Sequence, residues 1–229
     1  MSKEMLKMTE VTAGYGEKKV LKGISVTIRQ GEFVSLIGSN GAGKSTLLRM
    51  ISGIIRPDSG ELLADGVSVF ENPEIKSQIC FLSDTPYYFP NADIRQMRSC
   101  YMMMYPSFDR KLFDSLTEKF RLDPKRKINS FSKGMKKQVS ILLGLCSGTK
   151  YLLCDEISTM LDLITQSQIW HFLMDETEKR KIGMIVVSHS PELLEKVDAK
   201  NMGFMPAVEL SYIKPENQRL IAVSIDGEQ

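Results

Sequence analysis

Gly38-Ser39-Asn40-Gly41-Ala42-Gly43-Lys44-Ser45-Thr46 is the stretch from which the rest of the chain is read. It fits the pattern G-x-x-x-x-G-K-[ST], and that spacing has a physical reason. Its three glycines lack Cβ atoms, so the backbone wraps closely and turns N–H groups toward phosphate oxygens. A helix beginning near Lys44 adds the positive end of its dipole. Lys44 is placed to reach β- and γ-phosphates, and the Ser45 hydroxyl to ligate Mg²⁺. The bare pattern arises by chance in about one chain in a hundred of this size. Its flanks carry the argument: Glu32 to Ile37 is a β-rich run, Lys44 to Ile51 has helical character, and Gly53 is a stop signal.

Upstream, Ser25 to Ile28 and Glu32 to Ile37 read as two strands around a hairpin turn at Gln30-Gly31. Downstream, the loop Arg56-Pro57-Asp58-Ser59-Gly60 precedes Glu61 to Ala64 and Val67 to Phe70, joined by the two-residue hairpin signal Asp65-Gly66. From Asp84 to about Lys150 the pattern turns helical with polar interruptions. Past Gly134, the apolar positions Met135, Val139, Leu142 and Cys146 recur at spacings of three and four, which buries one helical face. Tyr151 to Cys154 and Met184 to Ser188 are nearly continuous apolar runs, as in strands buried within a parallel sheet. A helix carrying Ile169, Phe172 and Leu173 separates them, and Met202 to Met205 and Leu220 to Ile225 read as further strands.

A second site follows at Tyr151-Leu152-Leu153-Cys154-Asp155-Glu156. Asp155 emerges at the end of a buried strand, where Mg²⁺ lies beside a phosphate loop. Glu156 can then hold or deprotonate an attacking water near the γ-phosphate. Adjacent acids also occur at ordinary helix N-termini, where they complement the dipole. The phosphate loop tips the balance toward chemistry.

Composition bounds these readings. The chain has 229 residues, 42% hydrophobic and 25% charged, which is globular usage and argues against disorder. A net charge of +2 is too balanced to announce a nucleic-acid binder. No apolar run reaches the roughly 18 residues of a transmembrane helix. Lys3, Glu4, Lys7 and Glu10 break up any signal-peptide core. Cys80, Cys100, Cys146 and Cys154 have no metal-like spacing and fit a reducing compartment. Charge is unevenly spread, however. Residues 110–150 hold eleven Lys and Arg against three Asp and Glu, so the remainder is acidic. That basic stretch is either a solvated face or a surface for anionic lipid or ATP.

With both sites in view, the chain resembles the nucleotide-binding subunit of ABC transporters, from Tyr15 to His189 and with motifs in the family's order. Phe131-Ser132-Lys133-Gly134-Met135 stands where the family's signature Leu-Ser-Gly-Gly-Gln is found. The resemblance implies that Ser132 and Gly134 contact the γ-phosphate held by an opposite subunit. The residues agree, since Ser132 is a natural N-cap and fresh N–H groups follow it. Tyr15, in Ala13-Gly14-Tyr15-Gly16, matches the aromatic that stacks on adenine, unless it simply lies on the core. Ser158-Thr159-Met160-Leu161-Asp162 matches the D-loop that crosses the dimer interface, and His189 matches the switch histidine.

The chain also departs from the family. Asp84 occupies the place of the Q-loop glutamine, where it remains a candidate ligand of Mg²⁺ or its water. Lys133 and Met135 replace a glycine and the glutamine of the signature, and Thr159-Met160 stand where small residues are usual. Ser-Lys-Gly-Met resembles a branch of bacterial ABC ATPases associated with efflux of drugs, peptides or other small molecules.

The expectation is therefore an α/β P-loop NTPase core with a mostly parallel sheet, an antiparallel β subdomain and an inserted helical subdomain. One domain spans 1–229, with 1–83 and 151–229 as core and about 84–150 as the helical part. The resemblance implies that Gly38, Ser39, Asn40, Gly41, Ala42, Gly43, Lys44, Ser45, Thr46, Tyr15, Asp84, Ser132, Gly134 and Asp162 bind ATP. Ser45, Asp155 and Asp84 would hold Mg²⁺, and Glu156, His189 and Lys44 would carry the hydrolysis. It further implies a second ATPase subunit and separate transmembrane permease subunits, at the inner face of the cell membrane, with no specific nucleic acid. Tyr87-Tyr88-Phe89, after Asp84, form either a socket for a partner's helix or a pin to the sheet, and Met102-Met103-Met104 either a contact surface or core filling. Two competing readings are a soluble ABC ATPase that remodels nucleic acid or a protein scaffold, and a weakly hydrolysing nucleotide-gated regulator.

Overall fold

A computed structural model of the chain describes residues 4–16, 18–37, 41–157, 161–187, 212–213 and 220–224. Two of its strands, β7 (Tyr151–Asp155) and β8 (Gly183–Val187), are buried along their whole length. Their side chains alternate between two hydrophobic cores. Leu152, Cys154, Met184 and Val186 face one core, while Tyr151, Leu153, Ile185 and Val187 face the other. A strand covered on both faces needs no polar alternation, which is why these runs read as continuously apolar.

The sheet built around them has six strands in the order β6-β7-β8-β3-β10-β9, where β6 is Ile79–Leu82, β3 Phe33–Ile37, β10 Leu220–Ser224 and β9 Tyr212–Ile213. All its pairings are parallel except β9 with β10. A second, antiparallel sheet has the order β2-β1-β4-β5, from β1 (Glu4–Tyr15), β2 (Lys18–Arg29), β4 (Ser59–Ala64) and β5 (Val67–Ser68). The Asp65-Gly66 hairpin is present, with Leu63 opposite Ser68 and Ala64 opposite Val67. The hairpin expected at Gln30-Gly31 is not. The chain does turn there, with Glu32 N–H donating to Arg29 C=O at 3.1 Å. Its two strands then part into different sheets, β2 pairing with β1 and β3 with β8 and β10.

Helices cover the sheet unequally. On one side α1 (Lys44–Ile51) puts Leu47, Leu48, Met50 and Ile51 into a core shared with the antiparallel sheet. The opposite core is filled by α5 (Lys133–Leu145), α6 (Leu163–Arg180) and the segment before them. That segment contains α3 (Ile94–Met104), α4 (Arg110–Lys119) and a short 3₁₀ turn at Ile128–Ser130. A four-residue helix α2 (Pro73–Lys76) leads into β6. Val139, Leu142 and Cys146 are buried as their spacing requires, and Met135 packs half-buried against the same core. Each fully buried Leu or Val stabilises the fold by about 1.5–3 kcal/mol relative to an exposed one. Met102, Met103 and Met104 are exposed, so they do not fill the core. Among the described residues no helix is long and apolar enough to cross a membrane.

Candidate nucleotide-binding site

The site forms at the C-terminal edge of the parallel strands, where β3 leads toward α1 and β7 ends at Asp155. Gly43 N-caps α1 with φ +97°. A Cβ there would lie 2.8 Å from both Leu21 Cδ2 and Val20 Cγ1, so the position needs glycine for space as well as for its left-handed backbone. Gly41 is also left-handed, at φ +85°. No side chain caps α1 and no acid sits in its first turn. The helix thus leaves its first N–H groups and its dipole for an anion. Ala42 lies half-buried between the two glycines, packed on the core beneath α1.

Lys44 is only 5% exposed. Burial pushes its ammonium below the ordinary lysine range, while the nearby charges of Glu156 and Asp155 push it back up. Asp155, at the end of β7, is buried as well, and burial raises its carboxyl above the ordinary range. The Ser45 hydroxyl bonds this carboxylate and lowers it, whereas Glu156 and Asp84 raise it. Asp155 Oδ1 is buried with no hydrogen-bond partner among the described residues. A buried, unpartnered carboxylate oxygen beside a serine hydroxyl is a hard-oxygen donor set that fits Mg²⁺, whose remaining positions belong to water and phosphate. Among the described residues no group of three or more His, Cys, Asp or Glu could hold a metal ion.

Glu156 follows with φ +50°, uncommon for a non-glycine residue, and its N–H donates to Val187 C=O at 3.1 Å. That bond ties the turn after β7 to the end of β8. Tyr15 is 54% exposed rather than laid on the core, and its hydroxyl is 3.4 Å from Thr46 Oγ1. Lys44, Ser45, Thr46, Tyr15, Asp155, Glu156 and Asp84 are therefore gathered around one edge of the sheet. Ser132 and Gly134 lie at the start of α5, where Ser132 Oγ accepts from Met135 N–H at 3.2 Å. Asp162 N-caps α6, its carboxylate held low by the hydroxyl and N–H of Thr165. Gly38, Ser39, Asn40, His189, the residues Ser158, Thr159 and Met160 matched to the D-loop, and the strand expected at Met202 to Met205 lie outside the described residues.

Of the three aromatics after Asp84, Tyr88 packs against the core and its hydroxyl donates to Lys136 C=O, which fastens it to α5 rather than to the sheet. Tyr87 and Phe89 are exposed and meet edge to face at 5.9 Å. One residue escaped sequence reasoning altogether. Lys137, counted within the basic stretch, is 4% exposed and donates to both the backbone carbonyl and Oδ1 of Asp84. A signal was there: Lys137, Ile141 and Gly144 share one helical stripe, and Ile141 and Gly144 are buried.

Comparison with known proteins gives this geometry a family. The sequence profile described as ABC transporter matches residues 21–159. The chain is 29% identical over 201 residues to the ABC transporter ATP-binding protein YtrB of Bacillus subtilis, covering 88% of this chain and 68% of that protein. It is 25% identical over 232 residues to the bacitracin transport ATP-binding protein BcrA of Bacillus licheniformis, covering 98% of this chain and 76% of the relative. A solved ATP-binding subunit of an ABC transporter superposes with a TM-score of 0.77 at 26% identity, over 84% of this chain and 82% of that one. A dimeric ATP-binding cassette in a post-hydrolysis state, bound to ADP and Pi, superposes with a TM-score of 0.73 at 25% identity, over 82% and 90% of the two chains. The chain belongs to the ABC transporter family, as one of its ATPase cassettes.

Proposed function

We propose that this cassette hydrolyses ATP to ADP and phosphate in a head-to-tail dimer and drives a separate membrane permease. The observation that carries the reading is the meeting of Lys44, Ser45, Asp155 and Glu156 at one sheet edge, with Lys44 buried between two acids. Lys44 holds the β- and γ-phosphates, the N–H groups of Gly41 to Thr46 cradle them, and Tyr15 supports the base. Gly38, Ser39 and Asn40 complete the loop by their place in the motif. Ser45 and Asp155 are the residues that would hold Mg²⁺, with Asp84 beside them. When bound, that ion neutralises charge developing on the phosphates. Glu156 orients the attacking water in line with the phosphoryl group, and His189 steadies the γ-phosphate.

Ser132 and Gly134 start α5, and the N-terminal end of a helix suits a phosphate, here a partner's, as the resemblance implies. Asp162 would lie at that interface. ATP then favours the closed dimer and hydrolysis releases it, a two-state element biased by its ligand. The exposed Tyr87 and Phe89 suit a permease helix. Efflux of a small molecule or peptide rests on Ser132-Lys133-Gly134-Met135. Matching relatives include a spermidine/putrescine import protein, so flux in sealed vesicles is the measurement that assigns direction. The cassette would then work at the inner face of the membrane.

A weakly hydrolysing regulator is the second reading, favoured by the grip of Lys137 on Asp84 at the Q-loop position. Turnover of purified protein separates the two. Lys44→Ala and Glu156→Gln are each expected to lower turnover by about 100-fold or more. A wild type no faster than either variant would end the motor reading.

A further inference from the structure

Lys137 has an ammonium group in a place with almost no water. Its side chain is 5% exposed, while that of its partner Asp84 is 48% exposed. Nζ donates to Asp84 Oδ1 at 2.9 Å and also to the Asp84 backbone carbonyl. A buried cation needs such compensation, and both acceptors found here belong to one residue. Asp84 stands two residues past the end of β6, where the chain leaves the sheet for the helical segment. Lys137 lies on α5, the helix that Ser132 caps. The charge of Asp84 also reaches Asp155 across the site. One lysine thus joins the edge of the nucleotide site to the helix that presents the signature.

We propose that Lys137 is a positioning residue, holding Asp84 at the edge of the nucleotide site and tethering that position to α5. The reaction it serves is the ATPase activity described above, but the tether exists without turnover. It has two consequences. It sets a cation against a carboxylate that lies near Asp155 and the incoming phosphates, where like charges repel. It also makes any movement of Asp84 on nucleotide binding a movement of the helix begun by Ser132 and Gly134.

The test uses the full chain with Lys137→Met, Lys137→Arg, Asp84→Asn and the double variant Asp84→Asn/Lys137→Met. Three quantities are read: turnover against Mg²⁺ concentration, binding of a fluorescent ATP analogue in EDTA, and hydrogen exchange of residues 84–90 and 132–137 without nucleotide. Lys137→Met is expected to lower turnover about tenfold through misplacement of Asp84. Exchange should rise in both segments, with metal-free binding of the analogue changed less than about twofold because the phosphate loop is intact. Lys137→Arg should recover most of the turnover, and the double variant should be less impaired than Lys137→Met, since no carboxylate is left at 84 to be misplaced. Should Lys137→Met fail to fold, Asp84→Asn carries the test, because loosening one end of the tether must raise exchange at 132–137 on the other. A loss of thermal stability alone, with turnover and exchange at 84–90 unchanged, would overturn the proposal, as would strictly additive effects in the double variant. Coupled exchange in a protein without turnover would instead leave the tether standing and remove the ATPase reading.

Discussion

Asp155 illustrates what function costs at a single residue. Its carboxylate is buried at the end of β7, bonded by Ser45 on one oxygen, and raised above its ordinary range chiefly by burial. A group with a raised carboxyl value binds a proton more readily folded than unfolded. Folded stability therefore falls as pH rises from the ordinary Asp value of 3.8 through the raised one. Asp155→Asn removes the charge and should stabilise the nucleotide-free protein near pH 7 by about 1 kcal/mol, or about 2–4 °C in Tm. The same variant should lose Mg²⁺-dependent ATPase activity. A calorimetric scan with no rise in Tm would mean that the buried charge is already compensated. Glu156, one residue on, was legible in the sequence as an acid after a buried strand. Its left-handed backbone was not, because nothing in Cys154-Asp155-Glu156 marks a turn at a non-glycine residue.

The helical elements depend on their ends. Asp93 caps α3 in a reciprocal box: its carboxylate accepts from Gln96 N–H at 2.9 Å, and Gln96 Oε1 accepts from Asp93 N–H at 2.9 Å. Burial alone would raise the Asp93 carboxyl, but Arg95, the Gln96 N–H and the charge of Lys127 hold it below the ordinary range. Its contribution is complete above the ordinary value of 3.8 and fades as pH falls through the lower folded one. Asp93→Ala should cost about 1–2 kcal/mol at pH 7, and chemical denaturation at acid pH should show that cost shrinking. Gly144, on α5, sits where a Cβ would come 2.5 Å from Leu82 Cδ2 and 2.9 Å from Leu82 Cγ. Gly144→Ala gains about 1 kcal/mol of helix propensity but must displace a buried leucine. The expected net is a loss of about 1–2 kcal/mol in denaturation experiments.

Elements were readable where their signal is local. The face of α5 and the hairpin at Asp65-Gly66 follow from spacings of a few residues, and β7 and β8 from short apolar runs. The pairing of β2 and β3 did not follow, because the choice of sheet is made by β1, β8 and β10, all remote in sequence. β1 itself went unread. Its burial alternates irregularly, and register shifts interrupt its pairing with β2. Lys137 was misread for a related reason: a lysine's identity argues for water until its partner, 53 residues away, is known.

At the scale of the whole molecule, one sheet separates two cores, and the candidate nucleotide site lies along its edge while Ser132 and Gly134 belong to the helical side. In the dimer proposed above, association should track nucleotide rather than protein concentration alone. Light scattering of Glu156→Gln with ATP is expected to give dimer, and the same sample in ADP monomer. The strand that leads to the phosphate loop carries a further consequence. β3 (Phe33–Ile37) is held between β8 and β10, and β10 is Leu220–Ser224. The antiparallel sheet, by contrast, is complete once Ser68 has been made. A chain emerging from the ribosome can close that sheet early, yet β3 keeps an open edge until Leu220–Ser224 has been synthesised. Pairing across so many residues is slow, on the order of milliseconds to seconds. The strand that leads into the phosphate loop thus gains its second neighbour long after the antiparallel sheet can close.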